Sequence, residues 1–347
     1  MNAPAPLEIT TPEGSGQAVH PDVAYCPGGF LGYRYWMACT PYPFAADRLE
    51  NPVVRVSNDG LEWQAFHGCP DPLVEAPADP CGHHADTDVV IHRGVIHVVF
   101  ITTRREAPET TFSLVASRDG RRWSGPQVML EGSWAVSPSI VVDPLDRWHL
   151  WHVVHDGLAS PKHTMVRYGS GTSPTDIRVT DECAIEIPGH VIWHIDVIRT
   201  AGGFEALVAA FRRGADPSRC RLFHAESGDG RRFVLSSRQA LVRPTILGWD
   251  NRMIYRSTFV KHPDGTYQVW YSAASWGMRC GIGLLQGKLG SLRPAAPLQG
   301  GPRAPWRLPE DAIGLLKYLL SRCLPPAMYR RLAQVRVGMK AGSAGPA

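Results

Sequence analysis

Apolar and polar positions along this chain fall into short runs separated by turn signals. Residues 33–40 (YRYWMACT), 95–102 (VIHVVFIT), 148–154 (WHLWHVV), 204–211 and 267–272 (YQVWYS) are dense in β-branched and aromatic residues, the composition of half-buried strands. Each follows a turn: Gly28-Gly29 with Gly32, Arg93-Gly94, Asp143-Pro144-Leu145-Asp146, Ala201-Gly202-Gly203 and His262-Pro263-Asp264-Gly265. Each turn in turn follows a strand opened by a four-residue phrase. The copies are His20-Pro21-Asp22-Val23, Asp86-Thr87-Asp88-Val89, Ser137-Pro138-Ser139-Ile140, His194-Ile195-Asp196-Val197 and Tyr255-Arg256-Ser257-Thr258.

A unit of phrase strand, tight turn and aromatic strand that returns roughly every 50 to 65 residues is the pattern of propeller blades rather than of helical repeats. The prediction is an all-β, five-bladed β-propeller over residues 17–290. A second repeat supports it. Ser57-Asn58-Asp59-Gly60 with Trp63, Ser117-Arg118-Asp119-Gly120 with Trp123, and the weaker Ser227-Gly228-Asp229-Gly230 with Phe233 each place an Asp-Gly turn before an aromatic residue. Asp and Gly tolerate the turn geometry, and the aromatic closes it on a neighbouring strand. This is a structural device with no catalytic role.

The ends differ in character. Residues 1–16, rich in Pro, Gly, Thr and Glu, are expected to be disordered. They carry no basic start and no apolar run, so no secretory signal is expected and the chain is assigned to the cytoplasm. Residues 291–309 read as a Pro/Gly linker. Residues 310–340 read as a short helical C-terminal tail, made basic by Lys317, Arg322, Arg330, Arg331, Arg336 and Lys340; residues 341–347 should be disordered. A basic amphipathic tail either packs on the propeller rim or makes a membrane-surface or protein contact.

Composition narrows the function classes. Of 347 residues, 44% are hydrophobic and 20% charged, as in an ordinary folded protein with a sizeable core. A formal net charge of +4, with no basic-aromatic stripe, gives no reason to expect a nucleic-acid partner. The eight cysteines are scattered without a C-x-x-C, so free thiols are expected rather than a disulfide framework.

In a propeller the inner strands converge, so equivalent phrase positions meet in space. The first position supplies His20, Asp86, Ser137, His194 and Tyr255; the third supplies Asp22, Asp88, Ser139, Asp196 and Ser257. Residues two apart on a strand share a face. A ring of His, Asp, Ser and Tyr is costly to bury without a polar ligand, water or ion.

These residues resemble the five-bladed β-propeller glycosidases, the superfamily of arabinanases, β-xylosidases, invertases, levansucrases and mannoside phosphorylases. Asp86-Thr87-Asp88-Val89 is similar to their second-blade Asp-Pro-Asp-Val, whose leading Asp tunes and orients the catalytic acid. His20-Pro21-Asp22-Val23 is similar to the first-blade Asp-Pro-x-Ile/Val, with His in the leading place. The third-blade Glu that acts as acid in that group is matched by Ser137, which cannot. The wording over residues 35–51 is typical of a bacterial branch of such propellers and brings no activity with it.

The resemblance implies a glycoside-processing enzyme, hydrolase or transglycosylase, acting on an oligo- or polysaccharide. Asp86 is expected as the tuning carboxylate. Glu50, at a strand start after a loop, is expected as acid or base together with Asp22 or Asp196. His20, Asp88, Ser137, Trp193, His194, Tyr255 and Arg256 are expected to contact substrate, Arg256 either by a bidentate grip on an acidic sugar or, equally, held in a structural salt bridge to Asp196 or Asp88. No cofactor or metal is assigned. Two alternatives stand beside this reading. One is a non-catalytic glycan-binding or polysaccharide-assembly propeller. The other is a metal-dependent enzyme using the His-x-Asp pairs His20/Asp22, His84/Asp86 and His194/Asp196.

Overall fold

Twenty strands, all but one pair of neighbours antiparallel, fall into five successive groups of four in this computed structural model, which describes residues 2–79, 81–104, 107–157 and 163–295. The first group is β1 (Ala18–Phe30), β2 (Tyr33–Pro41), β3 (Val53–Ser57) and β4 (Gln64–Ala65). The second is β5 (Gly82–His92), β6 (Val95–Arg104), β7 (Glu109–Ser117) and β8 (Gln127–Ser133). The third is β9 (Ala135–Val142), β10 (Trp148–His155), β11 (Thr164–Gly171) and β12 (Arg178–Ile185). The fourth is β13 (His190–Thr200), β14 (Gly203–Arg212), β15 (Arg221–Ser227) and β16 (Arg232–Leu235). The fifth is β17 (Met253–Lys261), β18 (Tyr267–Ala274), β19 (Cys280–Gly287) and β20 (Arg293–Pro294). The third and fourth groups merge into one eight-stranded sheet, because Ala184 and Ile185 pair in parallel with Arg232 and Phe233.

The phrase strands β1, β5, β9, β13 and β17 pack each against the next, and β17 returns to β1, so they close a ring. The described residues are thus all-β and propeller-like, as the repeat predicts. The helical tail expected at 310–340, the end at 341–347 and the linker beyond residue 295 lie outside the described residues. Arg293–Pro294, inside the stretch expected to be a linker, is the outer strand of the fifth group.

The Asp-Gly phrases build what their residues imply. Asp59 Oδ1 accepts the N–H groups of Leu61 (2.8 Å) and Glu62 (2.9 Å), and Ser57 Oγ accepts that of Gly60 (2.8 Å). The turns at Asp119 and Asp229 repeat these bonds. Each turn also seats a tryptophan from the group before it. Trp270 Nε1 donates to Gly60 O (2.9 Å) and Trp151 Nε1 to Gly230 O (2.6 Å). A Cβ on Gly60 would stand 2.7 Å from the Trp270 ring, and one on Gly230 would stand 2.8 Å from the Trp151 ring, with φ positive at both (77° and 72°). Only glycine meets both demands. Trp36, Trp151 and Trp270, from the aromatic strands, are fully buried by this arrangement.

The N-terminal stretch corrects an expectation. Residues 2–16, expected to be disordered, run across the seam between the fifth and first groups. Leu7 N–H donates to Ile282 O (2.7 Å), Ala3 N–H to the Tyr271 hydroxyl (2.9 Å), and Arg55 Nε to Thr10 O (2.7 Å). Ala3, Leu7 and Ile9 are buried. The period-two pair Leu7/Ile9 is a strand-like signal that the surrounding Pro and Gly mask.

Candidate active site

The phrase strands share a local irregularity that aims their first residues inward. Pairing slips between Val19 and Asp22 in β1, Ala85 and Asp88 in β5, Ile192 and His194 in β13, and Ile254 and Ser257 in β17; β9 slips against Trp151 and Val153 of β10. His20, Asp86 and Ser137 take left-handed backbone (φ 53°, 49° and 57°). Bulges re-aim side chains and are over-represented beside active sites. Non-glycine residues at positive φ cost energy and persist where the surroundings hold them. Pro21 and Pro138, lacking an N–H, suit a place where the ladder is already broken.

The first positions bring His20, Asp86 and His194 together, each offering a ligand-type atom within 4.8 Å of the others. His20 Nε2 is 3.1 Å from Asp86 Oδ1, and His194 Nδ1 is 3.8 Å from the same oxygen. His20 Nδ1 faces Glu50 Oε2 at 3.2 Å and Thr40 Oγ1 at 3.1 Å. The Thr40 hydroxyl donates to Glu50 Oε2 (3.2 Å), and Ser137 N–H donates to Asp86 Oδ2 (2.7 Å). The Tyr255 ring closes the group, 4.5 Å from the His194 ring and 5.0 Å from the His20 ring, centre to centre. Trp193 lies beside it, half-buried, its ring centre 6.0 Å from that of His194.

Electrostatics separate these groups. Burial pushes the Asp86 carboxyl up, but His20, His194, Arg256 and the Ser137 N–H outweigh it and hold the group at about 2. Burial drives the His194 imidazole well below its ordinary value, against the pull of Asp86, so it is neutral. Burial, then the Asp86 and Glu50 charges, push the Tyr255 phenol well up. Among the described residues neither ring nitrogen of His194 has a hydrogen-bond partner, although the side chain is buried. Unpartnered buried nitrogens are costly. Two imidazoles and a carboxylate are the donor set of a borderline divalent ion such as zinc, manganese or iron. The residues therefore fit a metal. The expected His-x-Asp pairs, however, do not act as pairs. His84 turns away, to Thr102 (3.0 Å) and Glu75 O (3.1 Å), and the cluster forms between strands instead.

The third positions form a separate layer. Asp22 accepts Val89 N–H (2.6 Å) and the Thr258 hydroxyl (3.0 Å), Asp88 accepts Ile140 N–H (3.2 Å), and Val197 N–H donates to Ser139 Oγ (2.8 Å). Four of the five neighbouring pairs in the ring are thereby clipped together. Arg256 is fully buried among them, 3.4 Å from Asp88 Oδ2 and donating to Pro138 O (2.6 Å). Burial comes first in pushing the Asp22, Asp88 and Asp196 carboxyls up; like charges add to it at Asp88 and Asp196, and Arg256 opposes it at all three. Of the two readings of Arg256, the structural salt bridge to Asp88 is the one the fold makes, so its guanidinium is spent inside the protein and not on an acidic sugar. Asp22, Asp88 and Asp196 lie in the same buried layer. Ser137 is likewise engaged, its hydroxyl bonded to Ile195 O (2.8 Å) and N–H (3.0 Å) of the next strand.

Two neighbours escaped the sequence reading. Thr40 is the last residue but one of β2, and His155 ends β10. His155 is buried with its ring centre 4.8 Å from that of Trp193, and burial lowers it to about 4 while the Asp86 charge pulls the other way. The strand expected to stop at Val154 runs one residue further, and that residue points at the site.

No family model matches the chain. It is 26% identical over 309 residues to the A type blood N-acetyl-α-D-galactosamine deacetylase of Flavonifractor plautii, covering 74% of this chain and 40% of that protein. The chain therefore spans well under half the length of that curated relative. Among solved structures, an N-acetylgalactosamine deacetylase from F. plautii, in complex with blood group B trisaccharide, superimposes with a TM-score of 0.71 at 23% identity, over 78% of this chain and 85% of that one. A thermostable family-43 glycoside hydrolase gives 0.58 at 12% identity, over 83% and 96%. An exo-1,5-α-L-arabinanase from a bovine ruminal metagenomic library gives 0.53 at 11%, over 81% and 95%. The fold is that of the propeller glycoside hydrolases. These proteins are carbohydrate-active, and the resemblance read from the phrases extends to the whole described fold.

Proposed function

We propose that the five strand groups are the blades of a five-bladed propeller and that the chain is a glycan-processing hydrolase acting at the His20–Asp86–His194 cluster. The reaction this cluster suits best is hydrolysis of the N-acetyl amide of an amino sugar. The observation that carries the reading is His194: a buried, neutral imidazole with both nitrogens unpartnered, beside an ionised Asp86 and a second imidazole. Support comes from the deacetylase relative and from the loss of two of the three carboxylates that glycosidic cleavage uses in this fold, replaced by His20 and Ser137.

A divalent ion held by His20, Asp86 and His194 would supply Lewis acidity to the amide carbonyl. The chain's own residues do the rest. Asp86, fixed by Ser137 N–H, keeps its negative charge. Glu50, held by Thr40 and facing His20, is the carboxylate placed to take a proton from an attacking water and return it to the leaving amine. Tyr255 and Trp193 present aromatic surface to the sugar ring.

A second reading, glycosidic cleavage with Glu50 and Asp86 as the carboxylate pair, is favoured by their placement on opposite sides of one imidazole. One experiment separates the two. Purified protein is incubated with a panel of N-acetylated oligosaccharides, with and without a chelator, and both acetate and new reducing ends are measured. Acetate release that chelation abolishes and added metal restores is the expected result. New reducing ends without acetate, insensitive to chelation, would replace it with the glycosidase reading.

A further inference from the structure

An open cleft of about 200 Å³ lies in the seam between the third and fourth strand groups, and the reaction above does not use it. Its walls come from the start of β11, the end of β12 and the start of β13. On β13 the lining run from His190 to Ile192 leads straight through Trp193 to His194. Ile192 and His194 are two residues apart, about 7 Å along a strand. The cleft therefore adjoins the cluster, with Trp193 between them.

The cleft is fixed before any ligand arrives. His190 N–H donates to Ile187 O (3.0 Å), and Arg213 N–H donates to Gly189 O (2.8 Å). Ile192 N–H donates to Thr164 Oγ1 (3.2 Å), which joins the two walls. The His190 ring is held as well. Its Nδ1 donates to Pro188 O (2.9 Å), and Phe223 meets it edge-on, with ring centres 5.0 Å apart. A ligand that finds its partners already placed loses less freedom on binding.

The lining also selects the ligand. With Nδ1 donating to Pro188 O, Nε2 of the neutral His190 ring is left an acceptor. Among the described residues it has no donor. Glu186 is exposed on the same lining and adds two acceptor oxygens. Acceptors call for a ligand that donates. A carboxylate or a phosphate does not, whereas a sugar hydroxyl both donates and accepts. A metal ion is a poor fit, because among the described residues His163, Glu186 and His190 do not bring three ligand atoms within 4.8 Å of one another. Ile185 and Ile192 add apolar surface beside these groups, the mixture that small-molecule sites use. The volume is below the roughly 300–1,000 Å³ of a pocket for a drug-sized ligand, so it suits a single ring.

We propose that this cleft is a second sugar subsite, which holds by its hydroxyls a neutral sugar adjoining the residue processed at the cluster. The protein then acts on an oligosaccharide in preference to a single amino sugar. This rests on reading the cluster as the glycan-processing site.

The test uses full-length protein and two sets of substrates. One is the methyl glycosides of N-acetylglucosamine and N-acetylgalactosamine. The other is di- and trisaccharides in which the same N-acetylated sugar is extended by neutral hexoses. Acetate release gives kcat/KM, and calorimetry gives affinity. The extended substrates should be favoured by about tenfold in both, the worth of one or two hydrogen bonds. Glu186 is exposed, so Glu186→Ala keeps the fold, and it should remove most of that advantage. His190→Phe, checked for folding by urea denaturation, should do the same by removing the unfilled acceptor. Equal kcat/KM and affinity for single and extended glycans, or an advantage unchanged in both variants, would overturn the proposal. The two readings fail separately. Acetate freed equally well from single and extended glycans keeps the cluster and ends the subsite. Tighter binding of extended glycans that Glu186→Ala weakens, with no acetate from any of them, keeps the subsite and ends the deacetylase reading.

Discussion

His20, Asp86 and His194 sit on the same three strands as Asp22, Asp88 and Asp196, two residues away in each case, yet the two layers are built to different rules. In the lower layer both oxygens of Asp22 and of Asp88 and one of Asp196 meet a donor, and Arg256 supplies a cation from within, while Asp196 Oδ2 and the Arg256 Nε and Nη1 have none among the described residues. In the upper layer a carboxylate held at about 2 faces an imidazole with no hydrogen bond to either nitrogen. A buried polar group normally finds a partner inside the protein. Where it does, as in the lower layer, it joins strand to strand. At His194, where both nitrogens lack one beside an ionised carboxylate, the proposed reading is that a ligand supplies it. Position along the phrase, not residue type, decides which layer an Asp joins, and the bulge between the two positions separates them.

The largest expected effect comes from the upper layer. Asp86→Asn keeps the acceptor for Ser137 N–H but removes the charge. Turnover should fall about a hundredfold or more, as for loss of acid–base or charge help at a reacting centre, with glycan binding measured by calorimetry largely retained. If stability falls and turnover per folded molecule does not, Asp86 is a strand clip like Asp88 and the contrast disappears.

The next effect comes from the lower layer and is one of stability. Arg256→Met would leave three buried carboxyl groups without their cation, a change that costs about 3–5 kcal/mol where a buried pair is broken from one side. The measurement is urea denaturation. Adding Asp88→Asn should recover part of the loss, because the two side chains interact directly. Additive effects would show that Arg256 does not neutralise this layer.

How far the sequence reaches can be judged on the same residues. The five phrases and the Asp-Gly turns are local patterns, set by period two and by turn chemistry, and they located the phrase strands and the tryptophan seats. The convergence of His20, Asp86 and His194 follows from equivalence between repeats, so it too was legible. The division into layers was not. For Arg256 the pairing with Asp88 was one of two open readings, and nothing local chose it over a grip on substrate. Glu50 was legible as a strand-start carboxylate after a loop, but its Thr40 and His20 partners come from pairing at a distance. His155 was missed by a one-residue error at a strand end. Residues 2–16 were missed because their partners, Ile282, Tyr271 and Arg55, lie far along the chain.

A third polar cluster, away from the site, gives the smallest effect and the cleanest control. Glu205 on β14 is a buried carboxylate that accepts from His224 Nε2 (3.1 Å), Lys261 Nζ (2.6 Å) and the Tyr267 hydroxyl (2.9 Å) across the fourth and fifth groups. Burial would raise it, but these three donors prevail and hold it at about 2. A carboxylate whose folded value lies below its unfolded one adds stability above the unfolded value, near 4.5, and loses it as pH falls toward 2. Lys261 is partly exposed, so solvent screens the pair and the contribution at neutral pH is about 1 kcal/mol. Glu205→Gln should therefore lower stability by that amount at pH 7 and flatten its decline between about pH 4.5 and 2.5, followed by urea denaturation at stepped pH. Turnover per folded molecule should not change, since every donor around Glu205 belongs to the seam between groups. Parallel stability curves for wild type and variant would mean that the three donors do not hold the charge. A drop in turnover would mean that fully partnered clusters also feed the site, and the distinction between the two layers would have to rest on something other than unpaired groups.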